Sequence, residues 1–219
     1  PDKGRLTLCI SSQAGCAMGC RFCLTGKLGL RRNLKAHEIV DQIISADRLI
    51  LPRQITNIVL MGMGEPLANF KEVVEALWRM TGLMHISKRR ITLSTSGIVP
   101  KMLELAEKAP RINLAISLNA ATDEVRSRIM PVNKKYPLKS LLDACRRFPL
   151  EPGRRITFEY VMIAGVNDSL DDAGRIVRLL RGIPSKVNLI PFNPYEGSEF
   201  ASRSDEVVRG FQKILSDGN

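Results

Sequence analysis

The chain has 219 residues, five cysteines, and 33 Lys and Arg against 22 Asp and Glu, a formal charge of +11. That length suits a single core that buries most of its apolar surface, so one domain over residues 1–219 is expected. No apolar run approaches the roughly 20 residues that cross a bilayer and the first residues carry no signal-like stretch, so a soluble, cytoplasmic protein without membrane contact is expected.

Short β-branched runs alternate with segments of helical period, without repeat, linker or low-complexity tract. The first expected strand is Arg5–Ser12. In it Leu6, Leu8 and Ile10 occupy one face while Thr7, Cys9 and Ser11 share the other, which a barrel could turn toward its lumen; a buried structural thiol is the alternative for Cys9. Next comes "AGCAMGCRFCLTG", which sets Cys16, Cys20 and Cys23 on a glycine-rich loop, with Phe22 before the last of them. In a reducing compartment clustered thiols are metal ligands or catalytic groups more often than disulfides, and an odd count of five agrees. A structural zinc site wants four ligands, and the nearest histidine, His37, falls on the polar side of the following helix, so zinc would need a distant fourth ligand. Three thiolates and one open position suit a 4Fe-4S cluster whose fourth iron is left for a small molecule.

The helix Ala36–Leu49 carries the apolar stripe Ala36, Ile39, Val40 and Ile43. After it the expected strands are Asn57–Met61, Arg90–Thr95, Ile112–Ser117, Arg155–Met162 and Lys186–Ile190, alternating with helices Phe70–Thr81, Lys101–Lys108, Leu138–Phe148, Leu170–Leu180 and Asp205–Leu215. Cys145 lies on the apolar stripe of Leu138–Phe148 and reads as core. Six βα units imply an α/β fold with a parallel sheet and outer helices, either a partial (β/α)6 barrel or a doubly wound sheet. In both, ligands sit at the strand C-terminal ends, where "MGMGEP", "STSG", "SLNAA" and "FNP" fall. Taken singly, Gly-Glu-Pro is a turn, and each Ser or Asn there is a cap or turn residue.

Basic residues recur in pairs and triples: Arg31, Arg32 and Lys35; Lys88, Arg89 and Arg90; Lys134 and Lys135; Arg146 and Arg147; Arg154 and Arg155. Any one pair reads as solvated surface charge, but the summed excess points to a polyanion bound through its phosphates. Aromatic residues are only 5% of the chain, which gives little support to a stacking platform for single-stranded RNA.

The segments "TLCISSQAGCAMGCRFCLTG", "MGMGEPLANF", "KRRITLSTSG", "LAISLNAATDEVR", "PVNKKY", "EYVMIAGVND" and "NLIPFNP" span essentially the whole chain. Together they resemble the RlmN/Cfr-type RNA adenine methyltransferases of the radical S-adenosylmethionine superfamily, whose core is a partial (β/α)6 barrel. The resemblance implies Cys16, Cys20 and Cys23 as cluster ligands. It implies Phe22, Gly64, Glu65, Ser94, Ser117, Leu118, Asn119 and Asn193 as positions contacting S-adenosylmethionine. Many family members carry His where this chain has Asn119.

The family mechanism moves a methyl group to a cysteine near the protein's C-terminus and activates it with a radical drawn from a second S-adenosylmethionine. Cys9 would then resolve the protein–RNA crosslink by forming a disulfide. The methyl-bearing cysteine would follow Asn219, and the family's proposed glutamate base and small RNA-binding region would precede Pro1, so a core region is expected here. The implied partners are 23S ribosomal RNA methylated at carbon 2 of an adenine, tRNA as a second candidate, and an external electron donor; a monomer is expected. Carbon-8 methylation, a radical-generating activase, and a non-enzymatic zinc-bearing RNA-binding module are the other readings.

Overall fold

The computed structural model describes residues 4–218; Pro1, Asp2, Lys3 and Asn219, and with them the ends of the expected domain, lie outside the described residues. In chain order the elements are β1 (Thr7–Cys9), β2 (Gln13–Gly15), α1 (Leu24–Leu28), β3 (Leu30–Asn33), α2 (Ala36–Leu49), β4 (Asn57–Leu60), α3 (Phe70–Trp78), β5 (Ile91–Thr95), α4 (Val99–Lys108), β6 (Asn113–Ser117), α5 (Asp123–Ile129), α6 (Leu138–Arg147), β7 (Ile156–Met162), α7 (Leu170–Leu180), β8 (Ser185–Pro191) and α8 (Asp205–Asp217). β1, β4, β5, β6, β7 and β8 form one all-parallel sheet in that order, a curled half-barrel with helices outside. A separate β2–β3 hairpin carries the start of the cysteine loop. No helix among the described residues is long and apolar enough to cross a membrane.

Alternation along each strand divides the molecule. Ile58 and Leu60, Ile91 and Leu93, Leu114 and Ile116, and Ile156, Phe158, Tyr160 and Met162 point outward into the core beneath the helices. Against them α2 packs Ala36, Ile39, Val40 and Ile43, while α6 packs Leu138, Leu141, Leu142, Ala144 and Cys145. Cys145 is therefore a core thiol, and burial pushes it up to about 12. The intervening residues, among them Ser94, Ser117, Glu159 and Val161, line the concave side.

Several boundaries differ from expectation. The first strand spans Thr7–Cys9 instead of reaching Ser12, although Ile10 still donates to Val59 O at 2.9 Å and accepts from Gly62 N at 3.0 Å; on its unpaired edge the Gln42 side-chain amide serves Ser11, accepting from its N–H and donating to its carbonyl at 2.8 and 2.9 Å. The helix expected to reach Thr81 ends at Trp78 and continues as a π turn over Arg79–Leu83. The hairpin, α1 and α5 were not expected, since none carries the apolar period by which the other elements are recognised. In α5 the buried residues are Arg126 and Ile129, and an arginine breaks the hydropathy pattern.

Arg126 is fully buried. Its Nε donates to Leu118 O at 3.0 Å, its Nη1 to Asn133 Oδ1 at 2.9 Å, and its Nη2 to Ser96 O and Ser117 O at 2.7 and 3.1 Å. Burial lowers its pKa to about 10, which leaves it protonated at neutral pH. One side chain thus ties the ends of β5 and β6 to α5 and to the turn Pro131–Lys134. Arg126→Met should lower stability by about 3 kcal/mol, because several buried acceptors are stranded at about 1 kcal/mol or more each. Urea unfolding measures this, and a loss under about 1 kcal/mol would mean that the acceptors find other donors.

Candidate functional site

At the strand C-terminal ends lies an open cavity of about 820 Å³, mouth included. Its wall includes Cys16, Cys20, Phe22, Cys23, Gly64, Glu65, Ser94, Ser117 and Asn119, residues that the sequence scatters over more than a hundred positions. Three expected site residues are not in that wall. Leu118 is buried, with its N–H donated to Glu159 O at 3.0 Å and its carbonyl occupied by Ala120 N and Arg126. Asn193 is exposed in the segment after β8, and Cys9 is exposed on the concave face of β1, beside Val59 of β4.

The cysteine loop is held from both sides. Cys16 N donates to Gly29 O at 3.0 Å across the hairpin, and Arg21 N donates to Ile129 O at 2.9 Å at the end of α5. From the segment after β8, Glu199 pairs with Arg21 at 2.5 Å and Gly197 O accepts from Lys27 Nζ at 3.0 Å. Lys27 also sits 5.0 Å from the Tyr195 ring centre.

Burial pushes the Cys20 thiol up to about 12, with the neighbouring Cys23, Cys16 and Glu65 adding to it and Arg126 opposing; Cys16 is raised by burial as well. Three thiolates gathered in partial burial repel one another, and a cationic metal centre would relieve that. Among the described residues no three His, Cys, Asp or Glu side chains could hold a single metal ion. A cluster needs no such convergence, since each thiolate meets a different iron. The donor set therefore fits a cluster better than a lone zinc.

The Glu65 carboxylate is buried and already occupied. It accepts from Leu67 N at 3.0 Å, Thr95 Oγ1 at 2.7 Å and Ser96 N at 2.7 Å, so it clamps the loop after β4 to the end of β5. Its own N–H donates to Gln13 Oε1 at 2.8 Å, fastening the same loop to the hairpin. Burial raises its pKa and these donors oppose the rise. Asn119 has φ of +56°, a left-handed conformation in which Asn and His are both enriched. Its Oδ1 accepts from Val161 N at 2.8 Å and its Nδ2 points at Met130 Sδ, 3.3 Å away, so the amide cross-braces β6 and β7 at the cavity floor.

Sequence reasoning missed Glu159. It lies in the cavity wall opposite Ser117 in register, accepts from Asn188 Nδ2 at 2.7 Å, and is raised in pKa by burial. The signal was present in "ITFEYVM": one carboxylate on the inward side of a strand whose outward residues are all apolar. Met18, Thr95 and Met130 complete more of the wall.

Residues 10–180 match the Radical SAM superfamily. Dual-specificity RNA methyltransferase RlmN of Pelobacter propionicus is 56% identical over 220 residues, covering 99% of this chain and 62% of that protein. The protein of the same name from Geotalea uraniireducens is 58% identical, covering 99% and 63%. The chain thus spans less than two thirds of the length of these relatives. A solved radical SAM methyltransferase from Sphaerobacter thermophilus superposes with a TM-score of 0.95 at 46% identity, over 99% of this chain and 65% of that one. Streptococcus suis SuiB, solved with S-adenosylmethionine bound, shares the fold at 16% identity and a TM-score of 0.68.

Gly64 tests how tightly the cavity wall is drawn. It has φ of +103°, and a Cβ there would lie 2.6 Å from Gln13 Cβ, whereas Gly165, at φ +68°, has nothing within 4 Å of the same position. Gly64→Ala should cost clearly more than Gly165→Ala, about 3 kcal/mol against about 1. Equal losses in thermal unfolding would show that backbone strain alone, and not the close approach, fixes Gly64.

Proposed function

Because the chain belongs to the radical S-adenosylmethionine superfamily, we propose that it forms the core of an RNA methyltransferase acting at carbon 2 of an adenine in 23S ribosomal RNA, with tRNA as a second substrate. The observation that carries this reading is the convergence of three cysteines, the Gly64–Glu65 turn, Ser94, Ser117 and Asn119 on one cavity at the strand ends. The high identity to proteins named dual-specificity RNA methyltransferases supports the choice of RNA over a protein substrate.

Cys16, Cys20 and Cys23 would hold a 4Fe-4S cluster from one side of the cavity, with Phe22 packed between them in sequence. With S-adenosylmethionine bound, the cluster would supply one-electron cleavage of the sulfonium, a route to a carbon that is too poor a nucleophile for polar methyl transfer. The remaining residues bind and orient. Ser94 and Ser117 offer hydroxyls to the cofactor's ribose and carboxylate from neighbouring strands. Gly64 and Glu65 contribute backbone groups to its ammonium, since the Glu65 carboxylate is engaged by Leu67, Thr95 and Ser96. Asn119 braces the floor rather than exchanging protons: an amide has no titrating group. Leu118 would act by shaping the turn, and Asn193 by offering its amide to the cofactor from the segment after β8.

Cys9 we assign to resolution. Its exposure on the concave face leaves its thiolate free to attack the sulfur of a crosslinked methyl-bearing cysteine in the closed-shell adduct: the S–S bond would form as the S–CH2 bond breaks, and the methylene carbon would keep that electron pair and take up a proton to become the methyl group while carbon 2 gives up its own. None of the five cysteines suits the carrier role: three are committed to the cluster, Cys9 to resolution, and Cys145 to the core.

Anaerobic reconstitution should load about four irons and four sulfides per chain. Replacement of Cys16, Cys20 or Cys23 by Ala should abolish loading, and Cys9→Ala should leave it intact; loss of iron in Cys9→Ala overturns its assignment. With reductant, S-adenosylmethionine and RNA, these 219 residues should release 5′-deoxyadenosine without making methyladenine. Methyladenine formed by them alone would sink the two-cysteine scheme.

A further inference from the structure

The end of the barrel opposite the cavity carries a charge arrangement that the chemistry at the strand C-terminal ends does not use. Basic residues cluster where strands begin: Arg89 and Arg90 before β5, Arg111 before β6, Arg154 and Arg155 before β7. Asn113, the first residue of β6, links two of these segments. Its Nδ2 donates to Arg89 O at 2.9 Å and to Ile91 O at 3.0 Å, and its Oδ1 accepts from Arg154 Nη1. The other terminal nitrogen of Arg154, Nη2, is buried without a partner, and Arg154 lines a cleft together with Arg111 and Arg155. Glu151 is the one carboxylate lining that cleft, and it forms no ion pair among the described residues.

Two structural explanations for such charges fail here. Lys and Arg in last helical turns, such as Arg146 and Arg147 of α6, complement the helix dipole, but Arg111, Arg154 and Arg155 lie outside any helix, and Arg89 and Arg90 belong to a single 3-10 turn, Lys88–Arg90, too short for a sizeable dipole. Nor do they answer acidic neighbours, because none of the five enters a salt bridge among the described residues, whereas Arg146, Arg79 and Lys108 nearby in the chain all do. Exposed guanidinium groups without carboxylate partners, here Arg89, Arg90, Arg111 and Arg155, suit an anion with several oxygens in fork geometry.

We propose that this arginine cluster, at the end of the barrel remote from the cysteine cavity, binds the phosphodiester backbone of the RNA substrate as a second anchoring surface. The inference rests on the RNA reading given above. A seven-residue strand spans about 23 Å, so a folded RNA presenting a base to the cavity can reach both ends with segments less than one duplex turn apart. Contacts of this kind carry no sequence information; they set affinity, register and salt dependence.

The test is RNA binding by fluorescence anisotropy between about 50 and 200 mM salt, for the unaltered protein, for Arg111→Gln/Arg155→Gln, and for Lys134→Gln/Lys135→Gln in the turn before α6. Arg111 and Arg155 are exposed, so their loss should leave the melting temperature and S-adenosylmethionine binding unchanged. Expected for Arg111→Gln/Arg155→Gln is a weaker affinity for every RNA tested alike and a slope of log K on log salt that is smaller by about 1 for each phosphate contact removed. An unchanged slope in that variant, with the unaltered protein binding RNA in a salt-dependent way, overturns the anchoring surface and leaves the RNA reading standing. If the unaltered protein binds RNA without salt dependence, or not at all, the RNA reading fails and takes the surface with it. If RNA binding is unchanged while an acidic protein binds through Arg111 and Arg155, the surface serves another partner and the proposal is overturned.

Discussion

The guanidinium of Arg126 organises this molecule more than any other group. Four hydrogen bonds from one buried side chain fix the ends of two neighbouring strands, the turn that follows β6, and Asn133 of the next short helix. Leu118 O also accepts from Ala120 N at 2.8 Å, but Ser96 O, Ser117 O and Asn133 Oδ1 depend on this guanidinium at the place where a parallel sheet has run out of ladder. Asn133 extends the same network, donating to Asp123 Oδ1 at 2.9 Å and Ser127 Oγ at 2.8 Å, so that the start and the middle of α5 are tied down together. At the cavity floor this polar network meets a buried apolar cluster of Ala120, Ile129, Met130, Ile163 and Phe192.

Much of this was legible in the sequence, for a physical reason. Outward strand residues and helix stripes obey the two periods of regular structure, and the stripe Ala36, Ile39, Val40 and Ile43 is the buried face of α2 as observed. The positions of the motifs followed as well, since in a parallel α/β sheet whatever lies just after a strand sits at one end of the barrel. What did not show was structure made by polar substitution. Gln42 replaces a strand partner, Arg126 replaces an apolar helix residue, and Glu65 replaces a backbone acceptor; hydropathy scores each of them as surface. The hairpin and α1 are short elements built around glycine conformations, Gly15 at φ +83° against Gly29 O, and carry no period at all.

Within the site the sequence showed residue types but not their hydrogen bonds. Glu65, expected at the cofactor, also clamps the loop after β4 to the end of β5 through its carboxylate. Glu159 looked like part of a strand and stands in the wall. The difference lies in which lone pairs are already engaged, a property of three-dimensional hydrogen bonding that residue identity does not carry. Asn119 shows the converse: a left-handed backbone that Asn and His both tolerate accounts for its presence without any demand on its chemistry.

The fastening of Arg21 and Lys27 to Glu199 and Gly197 joins positions 178 and 170 residues apart in the chain. A polypeptide is made from its N-terminus at about 5–20 residues per second. The cysteines of the loop are therefore exposed to the cell for about ten seconds or more before the strand and segment that brace them exist. Contacts of such sequence separation also close late in folding. The bracing of the cysteine loop is in this way set by the chain's own length: its two contacts with the segment after β8 cannot form until synthesis has passed Glu199.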